Sequence, residues 1–163
     1  MQIKYLGGEK FEIRTKEVKI SLGYKILIND FSLPGPGEYE KNGIFVEGIA
    51  DNGNNIYAIK AEEMNLCYLG KISHDLKEEE AKEIGDVDIL FVPLGEDGSL
   101  PVKKALDVVS KIDPRIVIPM LYSDLSEFKK SEGISDGETD LLKIKKQELP
   151  EEERKIVILT EVR

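Results

Sequence analysis

The residue types best suited to catalysis are scarce in this chain, which has one histidine and one cysteine. His74 stands between Ser73 and Asp75, a set that could supply a base, a nucleophile and an orienting carboxylate. Consecutive side chains point in different directions and a triad is assembled in space, so this adjacency favours a structural His74 near a helix start over a ligand contact. Cys67 lies in an apolar run, where free cysteine behaves as a small buried hydrophobe rather than a nucleophile.

Metal chemistry is limited by the same scarcity. A zinc site needs three or four His, Cys or carboxylate ligands, and the census of this chain therefore predicts no catalytic zinc and no cofactor. A magnesium or calcium site built only from Asp and Glu remains an alternative, although the sequence has no EF-hand loop or other spaced carboxylate motif.

The acidic composition narrows the classes of partner. With 32 Asp and Glu against 23 Lys and Arg, the net charge is -9 and the protein repels phosphate backbones and anionic lipid. We expect no nucleic-acid partner and no membrane partner. The acidic runs at 78–80 and 151–153 are typical of solvated helix surface, with recognition of a basic protein as the alternative. The unpaired Cys67 and an amino terminus without an apolar segment predict a cytoplasmic location.

Length and pattern predict one α/β domain over residues 1–163. Apolar residues alternate or form short runs up to about residue 69, which indicates consecutive strands joined by Gly, Asn and Pro turns. Beyond residue 70, Asp75 and Glu78 form a capping pair that predicts a helix start, and the continuous apolar run at 88–93 predicts a central strand. Strands followed by strand–helix alternation predict a layered sandwich with helices on outer faces.

Several short segments occur in a family-specific order along nearly the whole chain. They are YLGG at 5–8, KILIN at 25–29, PGPGEYE at 34–40, LCYLGK at 66–71, SHDL at 73–76, VDILFVPLG at 87–95 and PRIVIPMLY at 114–122. Together they resemble the metallo-β-lactamase fold, specifically its compact branch of lactonase-like, zinc-dependent hydrolases related to ascorbate-6-phosphate lactonase. The resemblance implies an α/β fold, a four-layer αββα sandwich reduced in size. It also implies His and Asp ligands at one sheet edge, where zinc activates water to attack a lactone, ester or phosphoester.

This chain departs from the family wherever the resemblance implies a metal ligand. The family's Leu-Gly-His ends here in Gly8, and its Leu-Gly-Asp, whose aspartate bridges two metals, ends in Lys71. The His-x-His-x-Asp-His loop expected after Asn29 is replaced by the Pro-Gly segment at 34–37. The final histidine, after Ile-Pro-Met, is Leu121. The zinc expected for the family therefore lacks its ligands.

The remaining candidate positions belong to a residual or rebuilt pocket. Glu38 and Tyr39 follow the stiff Pro-Gly loop where the family's cleft begins, so they are candidates to line a pocket, with loop rigidity as the alternative explanation. We expect Lys71 to form an internal salt bridge rather than an anion site. Asp51 and His74 are the other polar candidates.

We therefore expect a metal-free, non-catalytic relative of these hydrolases that acts as a binding or oligomeric scaffold, with an unidentified small-molecule ligand, a protein partner or a second copy. The alternative is a hydrolase of lactones or phosphoesters with a rebuilt site made from Glu38, Asp51, His74 and the loop at 95–99. A third interpretation is a subunit whose missing ligand loop leaves an apolar face for a partner chain.

Overall fold

The computed structural model describes residues 1–95, 100–134 and 137–163. The strands in chain order are β1 Gln2–Gly7, β2 Lys10–Arg14, β3 Lys19–Leu22, β4 Leu27–Ile28, β5 Phe31–Ser32, β6 Gly37–Lys41, β7 Ile44–Asp51, β8 Asn54–Ala61, β9 Met64–Tyr68, β10 Ile89–Pro93, β11 Ile116–Met120, β12 Leu142–Lys143 and β13 Lys155–Ile156. The helices are α1 Glu78–Ile84, α2 Val102–Ile112 and α3 Ser126–Glu132, with a 3₁₀ turn at Lys146–Glu148.

The strands form two sheets that pack face to face. The first sheet is antiparallel and has the order β12-β1-β2-β3-β4-β5. The second has the order β13-β11-β10-β9-β8-β7-β6, in which β6 to β9 are antiparallel and β9, β10, β11 and β13 are parallel. The two-sheet sandwich that the sequence predicts is confirmed.

Alternation along the strands produces the core between the sheets. In β1 and β2 every second residue points inward, and Ile3, Phe11 and Ile13 have no exposed surface. The ring of Phe11 meets that of Phe91 from the opposite sheet edge-to-face, with centroids 4.7 Å apart. These contacts fix how one sheet lies over the other.

A second apolar layer lies between the second sheet and the helices. The helical period places Ala105, Val108 and Val109 of α2 on one buried face, and Phe128 of α3 joins them against strand residues such as Leu90. The described helices all contribute to this layer, whereas the outer face of the first sheet is largely polar. Within the described ranges, no helix has both the length and the apolar character needed to cross a membrane.

One edge of the sandwich gathers the loops that matter for function. The parallel strands β9, β10 and β11 all end there, and the β1–β2 and β7–β8 turns reach the same edge. The Leu121 N–H donates to the carbonyl of Gly8, and the Asn54 side chain donates to the carbonyl of Leu69. In α/β sheets, the crevice outside the carboxyl ends of parallel strands is the common ligand position.

Candidate functional site

Two positions where the resemblance places imidazole ligands meet directly at this edge. The N–H of Leu121 lies 3.1 Å from the carbonyl oxygen of Gly8, and the Tyr5 hydroxyl donates to the same oxygen at 2.9 Å. Leu121 has a φ of 57°, a left-handed conformation that is uncommon for a residue other than glycine. A backbone-to-backbone contact thus joins the two positions, and neither side chain is a metal ligand.

Lys71 forms the internal salt bridge that the sequence predicts. Its Nζ lies 3.4 Å from Oε2 of Glu9, with the lysine side chain 60% exposed and the glutamate side chain 17% exposed. The pair joins the β1–β2 turn to the end of β9. A cation therefore stands where the resemblance implies a metal-bridging aspartate.

A separate group of side chains at the same edge has the donor types of a metal site. Asp51 ends β7, His74 lies in the segment before α1, and Glu80 lies in the first turn of α1. One ligand atom from each of the three residues lies within 4.8 Å of the others. Asp51 and Glu80 are buried, and His74 is partly exposed. We call these three residues the acid–histidine cluster.

Both ring nitrogens of His74 face oxygen acceptors. Nδ1 lies 2.7 Å from the backbone carbonyl of Asp75, and Nε2 lies 2.5 Å from Oδ1 of Asp51. The hydrogen bond to the Asp75 carbonyl raises the pKa of His74, and the Asp51 carboxylate raises it further, against an opposing effect of burial. An imidazole donates from both nitrogens only when it is protonated, so this geometry is that of an imidazolium–carboxylate pair.

The Asp51 end of the cluster is positioned by Asn54 across the β7–β8 turn. The Asn54 amide donates to the Leu69 carbonyl at 3.0 Å and approaches Oδ2 of Asp51 at 3.5 Å, while its Oδ1 accepts the Lys71 N–H at 2.9 Å. One amide side chain thus joins the end of β9 to the turn that carries Asp51.

Glu80 is held by a cap at the start of α1. Its Oε2 accepts the backbone N–H of Lys77 at 2.9 Å, and the helix begins at Glu78. The predicted capping pair of Asp75 and Glu78 is therefore wrong, because Lys77 is the N-cap and the reciprocal glutamate lies two positions later. The interpretation of the run at 78–80 as solvated surface is also wrong for Glu80, which is buried. The sequence does carry a signal for the burial of Glu80, because it lies four positions before the apolar Ile84 and residues at this spacing share one helix face.

The chemistry of the donors decides whether a metal fits. Zinc accepts imidazole nitrogen and carboxylate oxygen, so the acid–histidine cluster fits by donor type. Tetrahedral ligands at about 2.1 Å from one zinc are roughly 3.4 Å apart, so the 2.5 Å contact in the cluster is that of a hydrogen-bonded pair. The positions of Gly8, Lys71 and Leu121 do not fit, because they supply no anionic or imidazole ligand.

The other predicted site residues lie elsewhere. Glu38 and Tyr39 line a groove of about 420 Å³ on the outer face of the second sheet beside α1, and the Tyr39 hydroxyl donates to the Gly35 carbonyl at 2.7 Å. Asn29 lies at the opposite end of the first sheet, where its Oδ1 accepts the Lys19 N–H at 3.0 Å. Of the loop at 95–99, residues 96–99 lie outside the described residues.

A small cavity of about 250 Å³ lies beside the Lys71–Glu9 pair. It is lined by Tyr57, Tyr68 and Asn55, and also by Tyr24, a residue that is 92% exposed. It shares no lining residue with the groove that contains Glu38. Lys71, one of the positions that the resemblance assigns to a metal ligand, lines this cavity.

Comparison with known proteins identifies the class of this fold. A family model described as a β-lactamase superfamily domain matches residues 12–121, which is more than half of the chain. The chain therefore belongs to the β-lactamase superfamily, and its two sheets with helices are the metallo-β-lactamase type of α/β fold. The family recognised from the sequence segments is confirmed.

Three known proteins illustrate the relationship. A proposed Zn-dependent hydrolase of the metallo-β-lactamase superfamily from Thermotoga maritima superposes with a TM-score of 0.83 at 22% identity, covering 98% of this chain and 100% of its own. Igni18, a metallo hydrolase from Ignicoccus hospitalis, has a TM-score of 0.63 at 14% identity, covering 88% and 99%. A UPF0173 protein from Pyrococcus furiosus is 45% identical over 51 residues, which is 28% of this chain and only 24% of that relative. The two structural likenesses show the fold alone.

Proposed function

We propose that this protein is a non-catalytic member of the superfamily that acts by binding a ligand or a protein. The observation that carries the proposal is the Lys71–Glu9 ion pair, whose nitrogen and oxygen lie 3.4 Å apart. An ammonium group at the bridging-ligand position repels a divalent cation, and the carboxylate beside it is already paired. The dinuclear site that the resemblance implies is therefore replaced by a contact within the protein.

The other positions at which the resemblance implies ligands support the same conclusion. Gly8 and Leu121 are joined through their backbones and offer no ligand atoms from their side chains. At the opposite end of the first sheet, Asn29 and Asp30 form a two-residue turn that connects β4 directly to β5, without the ligand loop that the resemblance implies after Asn29. The cavity of about 250 Å³ beside Lys71 is the space in which a small polar ligand would bind.

Hydrolysis assays on protein without an affinity tag test the proposal. The protein and its His74→Gln variant are incubated with Zn²⁺ and assayed on a γ-lactone, p-nitrophenyl acetate and p-nitrophenyl phosphate. We expect the two proteins to show the same background rate with each substrate. Zinc-dependent turnover that is present in the native protein and absent from the variant would overturn the proposal.

Self-association is one form that the binding could take. Sedimentation velocity over a hundredfold concentration range measures it directly. A mass that rises with concentration would support a homo-oligomeric scaffold, whereas a constant monomer mass would direct the proposal toward a small-molecule ligand or another protein.

A second candidate function is favoured by the acid–histidine cluster. In this alternative, Asp51, His74 and Glu80 hold one metal ion, which would supply Lewis-acid chemistry for hydrolysis of a lactone or phosphoester. The Asp75 carbonyl would orient the imidazole, and Asn54 would hold the turn that carries Asp51. Zinc-dependent turnover lost in both His74→Gln and Asp51→Asn is its expected signature.

A further inference from the structure

The acid–histidine cluster has features of a binding site that neither the closed family positions nor the apolar core explain. It lies on the helix-facing side of β7, where Asp51 shares a face with the buried Ile49. The side chain of Asp51 is only 2% exposed. A carboxylate buried to this extent requires a compensating positive charge or strong hydrogen bonds.

Without a metal ion, the proton on Nε2 of His74 compensates the charge of Asp51, and a divalent ion would take the place of that proton. His74 Nε2 contacts Oδ1 at 2.5 Å, and the Asn54 amide reaches Oδ2 only at 3.5 Å, which is a weak hydrogen bond. Glu80 brings a second carboxylate to the same place. Two acids and one imidazole within reach of a common point form an arrangement that a divalent ion would stabilise.

The environment of His74 is the one found around metal-binding histidines. Such residues usually bind the metal through one ring nitrogen and donate the other N–H to a carbonyl or carboxylate, which fixes the orientation of the ring. Here the Asp75 carbonyl engages Nδ1 at 2.7 Å and directs Nε2 toward Asp51.

We infer that Asp51, His74 and Glu80 bind one divalent ion of the zinc class, and that this ion joins β7, the segment before α1 and α1 itself. The role is structural, so the inference goes beyond the proposed function and is compatible with it. The imidazole favours zinc or cobalt over calcium and magnesium, which prefer oxygen-only ligands.

Metal titration of chelator-treated, untagged protein tests this inference. We expect one equivalent of Zn²⁺ by calorimetry, a rise in melting temperature with Zn²⁺, and no comparable effect of Mg²⁺ or Ca²⁺. Co²⁺ should bind with the same stoichiometry and give visible absorption bands. Substoichiometric Zn²⁺ binding, or equal effects of Mg²⁺ and Zn²⁺, would overturn it.

Matched variants locate the ion. Glu80→Gln and Glu79→Gln remove the same charge one residue apart on α1, but only Glu80 is buried in the cluster. We expect Glu80→Gln and His74→Gln to weaken Zn²⁺ affinity by more than about tenfold and Glu79→Gln to leave it unchanged. Equal losses in the two glutamate variants, or undiminished affinity in His74→Gln, would contradict the assignment.

A measurement on the native protein avoids dependence on variant stability. His74 is the only histidine, so its ring resonances in a long-range ¹H–¹⁵N NMR spectrum need no further assignment. We expect Nε2 to shift on addition of Zn²⁺ while Nδ1 stays protonated, and unchanged ring signals would reject the site.

The outcomes separate this inference from the proposed function. Zinc bound without hydrolysis agrees with both. Zinc bound with hydrolysis that His74→Gln abolishes retains the metal site and rejects the non-catalytic function. Absence of zinc binding rejects the metal site but does not contradict the proposed non-catalytic function, which rests on Gly8, Lys71 and Leu121.

Discussion

The backbone of Gly70 passes so close to the side chain of Asn54 that a β carbon does not fit between them. A Cβ added to Gly70 would overlap Oδ1 of Asn54 and lie 3.1 Å from the Asn55 carbonyl oxygen. Gly70 also has a φ of 60°, which side-chain-bearing residues rarely adopt. The end of β9 and the turn that carries Asp51 are therefore held together by a contact that requires glycine.

Gly70→Ala is expected to destabilise the protein through both effects. The left-handed backbone alone costs about 1–2 kcal/mol for alanine, and the overlap additionally displaces Asn54 from Leu69 and Lys71. Gly43→Ala is the matched control, because Gly43 has a φ of 77° and no atom within 4 Å of an added Cβ. Urea unfolding should show a loss at least about 1 kcal/mol larger for Gly70→Ala than for Gly43→Ala. Equal losses would mean that the Asn54 contact contributes nothing.

Lys71→Asp restores the residue type that the family pattern implies, but it should not restore a family-type metal site. Neither Gly8 nor Leu121 supplies a ligand, and the new carboxylate would face Glu9 in place of an ion pair. We expect the free energy of unfolding to fall by about 1 kcal/mol or less, because the lysine is largely exposed.

The control for this substitution is Lys71→Gln, which removes the attraction without adding repulsion. The difference between the Asp and Gln variants should shrink in 1 M NaCl, since salt screens exposed charges. A difference that does not respond to salt would show that Lys71 acts through packing of its aliphatic stem rather than through charge.

The strands were predictable because burial leaves a local pattern. The strand pattern up to about residue 69 covers β1 to β9, and the continuous apolar run at 88–93 predicts a strand that matches β10 to within one residue at each end. The start of α1 was not predictable with the same accuracy. Asp75 with Glu78 has the capping-box spacing and a favoured N-cap residue, but the structure pairs Lys77 with Glu80, which the local pattern ranks lower.

The site was predictable only in part because its contacts join distant segments. The resemblance predicts where family ligands would lie, and two of those positions, Gly8 and Leu121, do meet in space. The contact between Asp51 and His74 spans 23 positions. It depends on the β7–β8 hairpin and on the pairing of β9 with β8, so no local spacing reveals it. The sequence groups Glu38 with them, but Glu38 lies on edge strand β6 and lines a different groove.

Glu47 lines the same groove, and its charge should make the free energy of unfolding depend on pH. Burial raises its pKa above the usual 4.5, and the carboxylates of Glu83 and Glu38 add to the shift. An acid whose pKa is higher in the folded state destabilises the fold once it ionises, so this penalty develops as pH rises through the interval between the unfolded and folded values. Glu47→Gln should therefore be more stable than the native protein at pH 8, by up to about 1 kcal/mol.

The gain from Glu47→Gln should disappear toward pH 4, where the native carboxyl is largely protonated. Glu40→Gln, which removes an exposed charge from β6, is the control. Urea midpoints at several pH values measure both variants. A gain for Glu47→Gln that is the same at pH 4 and pH 8 would assign the effect to side-chain packing instead of charge.

The reactivity of the Cys67 thiol measures how accessible strand β9 is to solvent and reagents. The side chain has no exposed surface, and burial raises the pKa of the thiol to about 12. Because the thiolate is the reactive species, both the low thiolate population and the lack of access suppress reaction with a disulfide reagent. We expect native protein at pH 8 to react with Ellman's reagent only as it opens, so that the rate increases with urea in parallel with unfolding. The control is Ser110→Cys in a Cys67→Ala background, which places a thiol on the exposed face of α2. This thiol should react without urea, at the rate of an exposed thiol. Rapid reaction of native Cys67 in the absence of urea would show that the strand opens locally and that the core beside the candidate site is less rigid than its packing implies.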